Sequence, residues 1–131
     1  MSKPIRGVEI NTTADKNTSL DAVFDTGSFY TIIREDCLPS GTVIERYKHE
    51  KKFGMARRGA KIRITGAVHL EIKVEKHWID GDVLVAPSLS SAMLIGAGLM
   101  QMWDISIKNK NGHTIIHIGR DMNDPDIQTV L

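Results

Sequence analysis

The stretch AVFDTGSFYTII, residues 22–33, places one carboxylate, that of Asp25, inside an apolar and β-branched run. The residues on either side are typical of two buried strands that meet at a turn. An unpaired carboxylate that is removed from water costs several kcal/mol or takes up a proton. Asp25 is therefore expected either to cap a turn or to act as an acid or base in a reaction.

The tripeptide Asp25-Thr26-Gly27 is weak support for catalysis when it stands alone. In a turn, an Asp caps, a Thr bonds locally and a Gly supplies a positive φ. Three further features narrow the interpretation. They are the apolar triplet at 22–24 with Ser28 on the other side, a glycine-punctuated basic hairpin at 53–60, and the apolar pair Leu94-Ile95 followed by Gly96 about seventy residues later.

Strand signals outnumber helix signals along the chain. Residues 61–65 and 68–74 alternate between apolar and polar side chains with period 2, as half-buried strands do. One short segment, at 97–102, favours a helix. Together they predict an all-β fold, a closed or partly closed barrel with one small helix. Further strands are expected at 8–10, 20–24, 31–33, 42–44, 83–85, 105–107 and 114–118, with turns at 80–81 and 109–112.

Length and composition narrow the function classes. The chain has 131 residues, 41% of them hydrophobic, which suits one domain spanning 1–131 with a modest core. Its net charge of +1 gives no overall field that favours nucleic acid or a membrane surface. Because we find no apolar run typical of a signal sequence or a membrane span, a cytoplasmic location is expected. The tail at 120–131 is expected to form a strand in a dimer sheet or to be flexible.

The sequence gives little support for a metal site or for a disulfide. Cys37 is the single cysteine, which excludes an intramolecular disulfide and a cysteine-based zinc cluster. His113 and His117 are four residues apart and would share one face of a strand. Two histidines without a third ligand make a poor metal site. Neither a metal nor another cofactor is expected.

In its motifs and their order, the sequence resembles the retropepsin-like aspartic proteases. Members of that family carry a hydrophobic-hydrophobic-Asp-Thr/Ser-Gly-Ala/Ser motif, a flap hairpin, and a second hydrophobic-hydrophobic-Gly motif before a short helix. Here the resemblance extends from about Val8 to Ile107. It implies a closed β-barrel, the acid protease fold half, with a flap hairpin and one short C-terminal helix, acting as a homodimer.

The resemblance also implies a reaction, the hydrolysis of peptide bonds in an extended peptide or protein substrate. Such proteases use two carboxylates that share one proton around a water molecule. One carboxylate activates the water, and the protonated one donates to the carbonyl oxygen. The chain has a single Asp-Thr-Gly, so Asp25 from each of two subunits would have to meet at a two-fold axis.

By the same resemblance, roles follow for the other motif residues. Thr26 would link the two active-site loops, Gly27 would leave room for the substrate backbone, and Ser28 completes the active-site loop. The second motif, Leu94, Ile95 and Gly96, would form a buried turn beside that loop. Substrate contacts would come from Phe29, Tyr30 and the flap residues Gly54, Met55, Ala56, Arg57, Arg58 and Gly59.

The sequence departs from the retroviral pattern at two linked positions. Retroviral members often carry an acidic residue two after the motif glycine and an arginine after the second-motif glycine, and these two pair. Phe29 and Ala97 stand there in this chain. Because both charges are missing together, no unpaired charge is left behind, and an apolar contact is expected instead. Gly98 stands where relatives often have Asp or Asn.

Two other functions compete with the protease hypothesis. One is a catalytically silent dimeric β-barrel that binds peptides or proteins in the same groove, and the other is a β-barrel interaction module with a chance Asp-Thr-Gly turn. The hairpin carries a concentrated basic run. The favoured interpretation is a solvated face, the second is a surface that prefers acidic peptides, and the third is a contact to nucleic acid. The run comprises Lys48, Lys51, Lys52, Arg57, Arg58, Lys61 and Arg63.

Overall fold

The computed structural model describes residues 3–54, 61–120 and 122. These residues contain nine strands, one short α-helix and one turn of 3₁₀-helix at Glu35–Cys37. In chain order the elements are β1 (Ile5–Thr12), β2 (Asn17–Asp25), β3 (Ile32–Arg34), β4 (Glu45–Gly54), β5 (Lys61–Val74), β6 (His77–Ala86), β7 (Met93–Gly96), α1 (Ala97–Met102), β8 (Ile105–Lys110) and β9 (His113–Ile118).

Six of the strands close into a barrel. The order is β1-β2-β7-β3-β6-β5, and β1 also pairs with β5, so the sheet returns on itself. Two of the pairings, β2 with β7 and β3 with β6, are parallel, and the others within the barrel are antiparallel. Each of the six strands therefore has a hydrogen-bonded neighbour on both sides over part of its length. The all-β, barrel-forming prediction is confirmed.

The barrel core follows from the period-2 pattern of the long strands. On β5, Val68, Leu70, Ile72 and Val74 all point inward, at 7% exposure or less. They pack with core residues of β1, β2, β6 and β7. A second, smaller cluster lies where β4 and the start of β5 extend beyond the barrel. It contains Ile32, Ile62, Ile64 and Ala86, with Tyr47 and Phe53 packed against them.

The helix and the last hairpin lie where the sequence predicts them. The α-helix spans Ala97–Met102, and β8 and β9 form a separate two-stranded sheet. Their turn is shorter than the predicted 109–112, because Asn109 and Lys110 are already paired in the ladder. Asn111 and Gly112 make the turn alone, with φ of 53° and 78°. Apart from Arg120 and Met122, the tail at 120–131 lies outside the described residues.

Two local predictions are wrong. Residues 42–44 are not a strand, because Thr42 turns back to bond the Pro39 carbonyl through both its N–H and its hydroxyl. The pair Asp80-Gly81 is not a turn but lies inside β6, where Gly81 faces Leu70. A Cβ on Gly81 would lie 2.8 Å from a methyl of Leu99, so the glycine makes room for α1. Among the described residues, no helix is long and apolar enough to cross a membrane.

A histidine is held between two carboxylates on the outer face of the barrel. His69 on β5 faces Asp82 on β6, and Nδ1 lies 3.0 Å from Asp82 Oδ1. Its other nitrogen, Nε2, lies 3.0 Å from Asp80 Oδ2. Hydrogen bonding to Asp82, helped by Asp80 and opposed by partial burial, raises the pKa of His69 above its usual 6.5. The imidazolium form can donate to both carboxylates at once.

We predict a pH-dependent loss of stability in His69→Gln. Since the folded-state pKa of His69 is raised, its stabilising contribution is complete below about pH 6.5, the unfolded-state value, and disappears as the pH rises through the folded-state pKa. The difference in unfolding free energy between wild type and variant should therefore be largest in mild acid and smaller in mild alkali. Urea denaturation across this range measures it. If the pH dependence persisted undiminished in an Asp82→Asn background, this pair would not be its source.

Candidate active site

Asp25 is the last residue of β2, where that strand leaves the barrel. The strand pairs in parallel with β7, with Phe24 beside Ile95 and Asp25 beside Gly96. Phe24 is 1% exposed and points into the core, while the side chain of the next residue points to the other face. Strand alternation thus explains why a carboxylate stands in an apolar run. The Asp25 side chain is still only 13% exposed.

The loop after Asp25 is a tight turn organised by its carboxylate. Gly27 N–H donates to Asp25 Oδ1 at 2.9 Å, and Ser28 N–H donates to the Asp25 carbonyl at 3.2 Å. A Cβ on Gly27 would lie 3.2 Å from Oδ1, which is tighter than most real contacts, so glycine keeps this approach open. Thr26 is exposed at the tip. The bonds are those of a turn-capping Asp, yet the carboxylate remains at the surface of the site.

The second motif lies directly against this loop. Gly96 is buried, and a Cβ there would collide with the carbonyl oxygens of Tyr30 and Phe29, the latter at 2.7 Å. Two backbone bonds then join the loop to α1, from Ala97 N–H to the Ser28 carbonyl at 2.6 Å and from Gly98 N–H to the Phe29 carbonyl at 2.9 Å. The structure therefore brings the two motifs together, as the sequence predicts. Leu94 and Ile95 are both buried, at 8% and 0% exposure.

The flap residues are described only at their base. Strands β4 and β5 pair antiparallel up to Gly54 and Lys61, which are opposite each other. They are therefore the two arms of a hairpin, as expected. The residues at its end, Met55, Ala56, Arg57, Arg58 and Gly59, lie outside the described residues.

The positive field of the hairpin arms is partly neutralised. Arg63 makes a two-pronged ion pair with Glu50, at 2.6 and 3.0 Å. Arg46 makes a similar pair with Glu35, at 2.7 and 2.9 Å. Lys51 lies over the Tyr47 ring, 4.7 Å from its centre. These contacts fit the interpretation of the basic run as a solvated strand face.

The Phe29 ring occupies space that is free because Gly98 has no side chain. A Cβ on Gly98 would lie 2.9 and 3.0 Å from two atoms of the Phe29 ring. The ring therefore packs against the start of α1, and a larger residue at position 98 would displace it. In the family pattern an acidic residue and an arginine pair in this region. Here the contact is apolar, and it is made to Gly98, the residue after Ala97.

Sequence reasoning missed two residues of the site, Lys3 and Thr31. The ammonium of Lys3 lies 2.9 Å from Asp25 Oδ2. The β1–β2 register, in which Ile5 pairs with Val23, sets residue 3 opposite residue 25. A predicted β1–β2 hairpin in this register is the signal that would have indicated the contact between Lys3 and Asp25. Thr31 is buried, and its hydroxyl accepts a bond from Gly96 N–H at 3.1 Å.

The described residues give little support for metal binding or for catalysis by a cysteine thiol. They include no cluster of three or more His, Cys, Asp or Glu side chains that could hold a metal ion. His113 and His117 are both exposed on β9. Cys37 is half-buried and unpaired with another cysteine, and burial raises the pKa of its thiol. Such a thiol stays protonated at neutral pH and is a poor nucleophile.

We predict that Gly96→Ala destabilises the protein by about 1–3 kcal/mol or more, because the added methyl collides with backbone atoms that cannot rotate away. Chemical denaturation with intrinsic fluorescence measures the loss. Gly7→Ala in β1 is the matched control, since its Cβ would meet only Asp21 Oδ1 at an ordinary 3.8 Å. Equal stability of the two variants would show that Gly96 does not require its missing side chain.

Comparisons with known proteins identify the family. The model of the retroviral aspartyl protease family matches residues 1–108. Among solved structures, the chain is similar to EIAV protease complexed with the inhibitor HBY-793, with a TM-score of 0.56 and 18% identity over 82% of this chain and 94% of that one. At that identity the likeness shows the fold alone. No curated protein sequence matches significantly. The match over most of its length shows that the chain belongs to the retroviral aspartyl protease family.

Proposed function

We propose that this protein is an aspartic endopeptidase whose active site forms between two copies of the chain. The observation that carries the proposal is the position of Asp25, which ends a barrel strand beside the buried Gly96 turn and directs its 13% exposed side chain away from the core. The family and its fold support the same class of reaction. The substrate is a peptide or an extended protein segment bound between the catalytic loop and the flap.

The proposed reaction needs one carboxylate from each subunit. One Asp25 takes a proton from a water molecule, whose oxygen attacks the carbonyl carbon of the substrate. The other, protonated, Asp25 donates to the carbonyl oxygen, which yields a tetrahedral intermediate. That intermediate collapses as the C–N bond breaks and the leaving nitrogen takes up a proton. Because the pair must hold one proton, activity should fall at both acidic and alkaline pH.

Two exposed features suit this assembly. Thr26 is exposed at the tip of the loop, where a second loop related by two-fold symmetry would meet it. The arms of the flap, β4 and β5, extend beyond the barrel and end at Gly54 and Lys61. A hairpin of this kind can close over a bound peptide and exclude water.

The ion pair between Lys3 and Asp25 favours a second candidate function, a silent peptide-binding dimer. In the single chain both carboxylate oxygens are engaged, Oδ1 by Gly27 N–H and Oδ2 by the Lys3 ammonium. In the proposed dyad, a second carboxylate and a water molecule would have to lie beside Asp25 Oδ2, where the Lys3 ammonium lies in the single chain. The protease proposal therefore requires that Lys3 leaves Oδ2 when two subunits meet.

The first experiment compares wild type with Asp25→Asn on a diverse peptide mixture at about pH 4 to 7, where one shared proton is expected. New termini are identified by mass spectrometry. The wild type should cleave peptides, and the cleavage rate should be at least about a thousandfold lower in Asp25→Asn, because the asparagine side-chain amide cannot act as the base. Asp21→Asn, an exposed carboxylate on the same strand, is the matched control and should keep full activity.

Self-association is measured on the same samples by sedimentation. Cleavage that survives in Asp25→Asn would contradict the proposal, and so would cleavage by a protein that stays monomeric. A dimer that binds peptides and cuts none of them would support the silent binder instead.

We predict that Lys3→Ala raises the rate of cleavage, since it frees Oδ2 of Asp25, whereas Lys3→Arg keeps the ion pair and the wild-type rate. The unfolding free energy should change by less than about 1 kcal/mol, because the lysine is largely exposed. Lys108→Ala, an exposed lysine on β8, is the control for a general effect of charge. A loss of activity in Lys3→Ala would instead make Lys3 a supporting residue of the site.

A further inference from the structure

Three aromatic rings form a continuous row beside the catalytic loop. We call Phe29, Tyr30 and Phe53 the aromatic ladder. Phe29 meets Tyr30 edge-to-face, with ring centres 5.2 Å apart and planes at 85°. Tyr30 stacks on Phe53, with centres 4.8 Å apart and planes at 3°. Both geometries are favourable for aromatic pairs.

One end of the ladder is fixed to the catalytic loop. Phe29 and Tyr30 follow Asp25 by four and five residues. The Phe29 ring packs against Gly98, whose N–H also donates to the Phe29 carbonyl at 2.9 Å. The Tyr30 carbonyl accepts a bond from the Ser28 hydroxyl at 3.0 Å and lies against Gly96. The backbone that carries these two rings is therefore held in place before any ligand arrives.

The other end of the ladder lies on the arm of the flap. Phe53 is the residue before Gly54 on β4 and pairs with Ile62 on β5. It packs on the small apolar cluster that includes Ile32 and Ala86. The ladder thus joins the loop that carries the catalytic carboxylate to the hairpin that would cover a bound peptide, and it borders the space between them.

Two of these rings are too exposed to serve the core. Phe29 is 62% exposed and Tyr30 is 47% exposed, whereas the core residue Phe24 is 1% exposed. Two adjacent aromatic side chains that face water are costly, and such patches commonly mark a site for an apolar partner. Because this patch is continuous with the proposed peptide groove, a side chain of the bound peptide is the partner best placed to cover it.

We propose that the aromatic ladder is a specificity-determining wall that selects a large apolar side chain, such as Phe, Leu or Met, at one position of the peptide. This inference rests on the proposed function only in that a peptide binds along the groove. Tyr30 is the central residue, since it touches both other rings. Phe29 and Tyr30 set the wall on the loop side, and Phe53 sets it on the flap side.

Charge and hydration explain why an apolar side chain is favoured. The ladder offers no cation or carboxylate, so a charged peptide side chain would lose water there without gaining a partner. One face of Tyr30 is already covered by Phe53, which limits the ring face left for a cation.

The test measures binding so that it does not depend on catalysis. Asp25→Asn protein is immobilised and exposed to a randomised peptide mixture, and the retained peptides are sequenced by mass spectrometry. Large apolar residues should be enriched at one position by roughly tenfold over Glu or Lys, equivalent to about 1.4 kcal/mol. The cleavage sites made by the wild type are profiled in parallel.

Variants assign the preference to the ladder. Tyr30→Ala should lower the enrichment to less than about threefold, and Tyr30→Phe, which keeps the ring, should preserve it. Phe29→Ala should also lower the enrichment. Because Phe29 is 62% exposed, this substitution should disturb folding little. Ile115→Ala is the matched control, since Ile115 on β9 is 44% exposed and lies outside the ladder.

The outcomes separate this inference from the proposed function. Enrichment that depends on Tyr30, without cleavage by the wild type, would support the ladder and contradict the protease. Cleavage whose profile is the same in Tyr30→Ala and Phe29→Ala would overturn the ladder and leave the protease standing. If Tyr30→Ala weakens self-association and leaves the enrichment unchanged, the rings belong to the contact between two copies and the inference is wrong.

Discussion

The candidate site depends on the contact between Gly96 and the backbone of the loop that follows Asp25. Parallel strands β2 and β7 end side by side, so the two motifs reach the same end of the barrel. The chain then turns into α1 within van der Waals distance of the Phe29 and Tyr30 carbonyls, where no Cβ fits. Backbone bonds from Ala97 and Gly98 fix the loop there. Because close-packed backbone deforms little, the barrel sets the position of Asp25, and the bonds from Gly27 and Lys3 then hold its carboxylate.

The same barrel also determines which partner the Asp25 carboxylate has in the single chain. The β1–β2 hairpin places Lys3 opposite Asp25, and the ammonium occupies the one carboxylate oxygen that the loop leaves free. The single chain therefore holds the largely buried Asp25 carboxylate in an ion pair with Lys3. The Lys3 side chain is 56% exposed, so water screens its end of the pair and the ammonium is free to move away into solvent.

The parts of the fold that were predictable are those that depend on local pattern. The alternation along β5 and the glycine-containing helix at Ala97–Met102 both follow from residue spacing alone. One wrong prediction, the strand at 42–44, fails because of a local turn at Thr42, and the other, the turn at 80–81, fails because of a tertiary contact that local pattern does not contain. Gly81 looks like a turn residue, yet it is a strand residue that makes room for Leu99 on a distant helix. The contact between Lys3 and Asp25 was missed because it depends on hairpin register, not on any motif.

The replacement of charges by an aromatic ring is best understood as one change at two positions. A charged pair in a partly buried place needs both members, since a lone charge there is costly. An aromatic ring in the same place needs volume instead, and Gly98 supplies it by having no side chain. The glycine that departs from the family pattern is therefore the complement of Phe29 and not an independent loss. Phe29 is also the first member of a row of rings that extends through Tyr30 to Phe53 on β4, and this row gives the surface beside Asp25 an aromatic character that an ion pair would not.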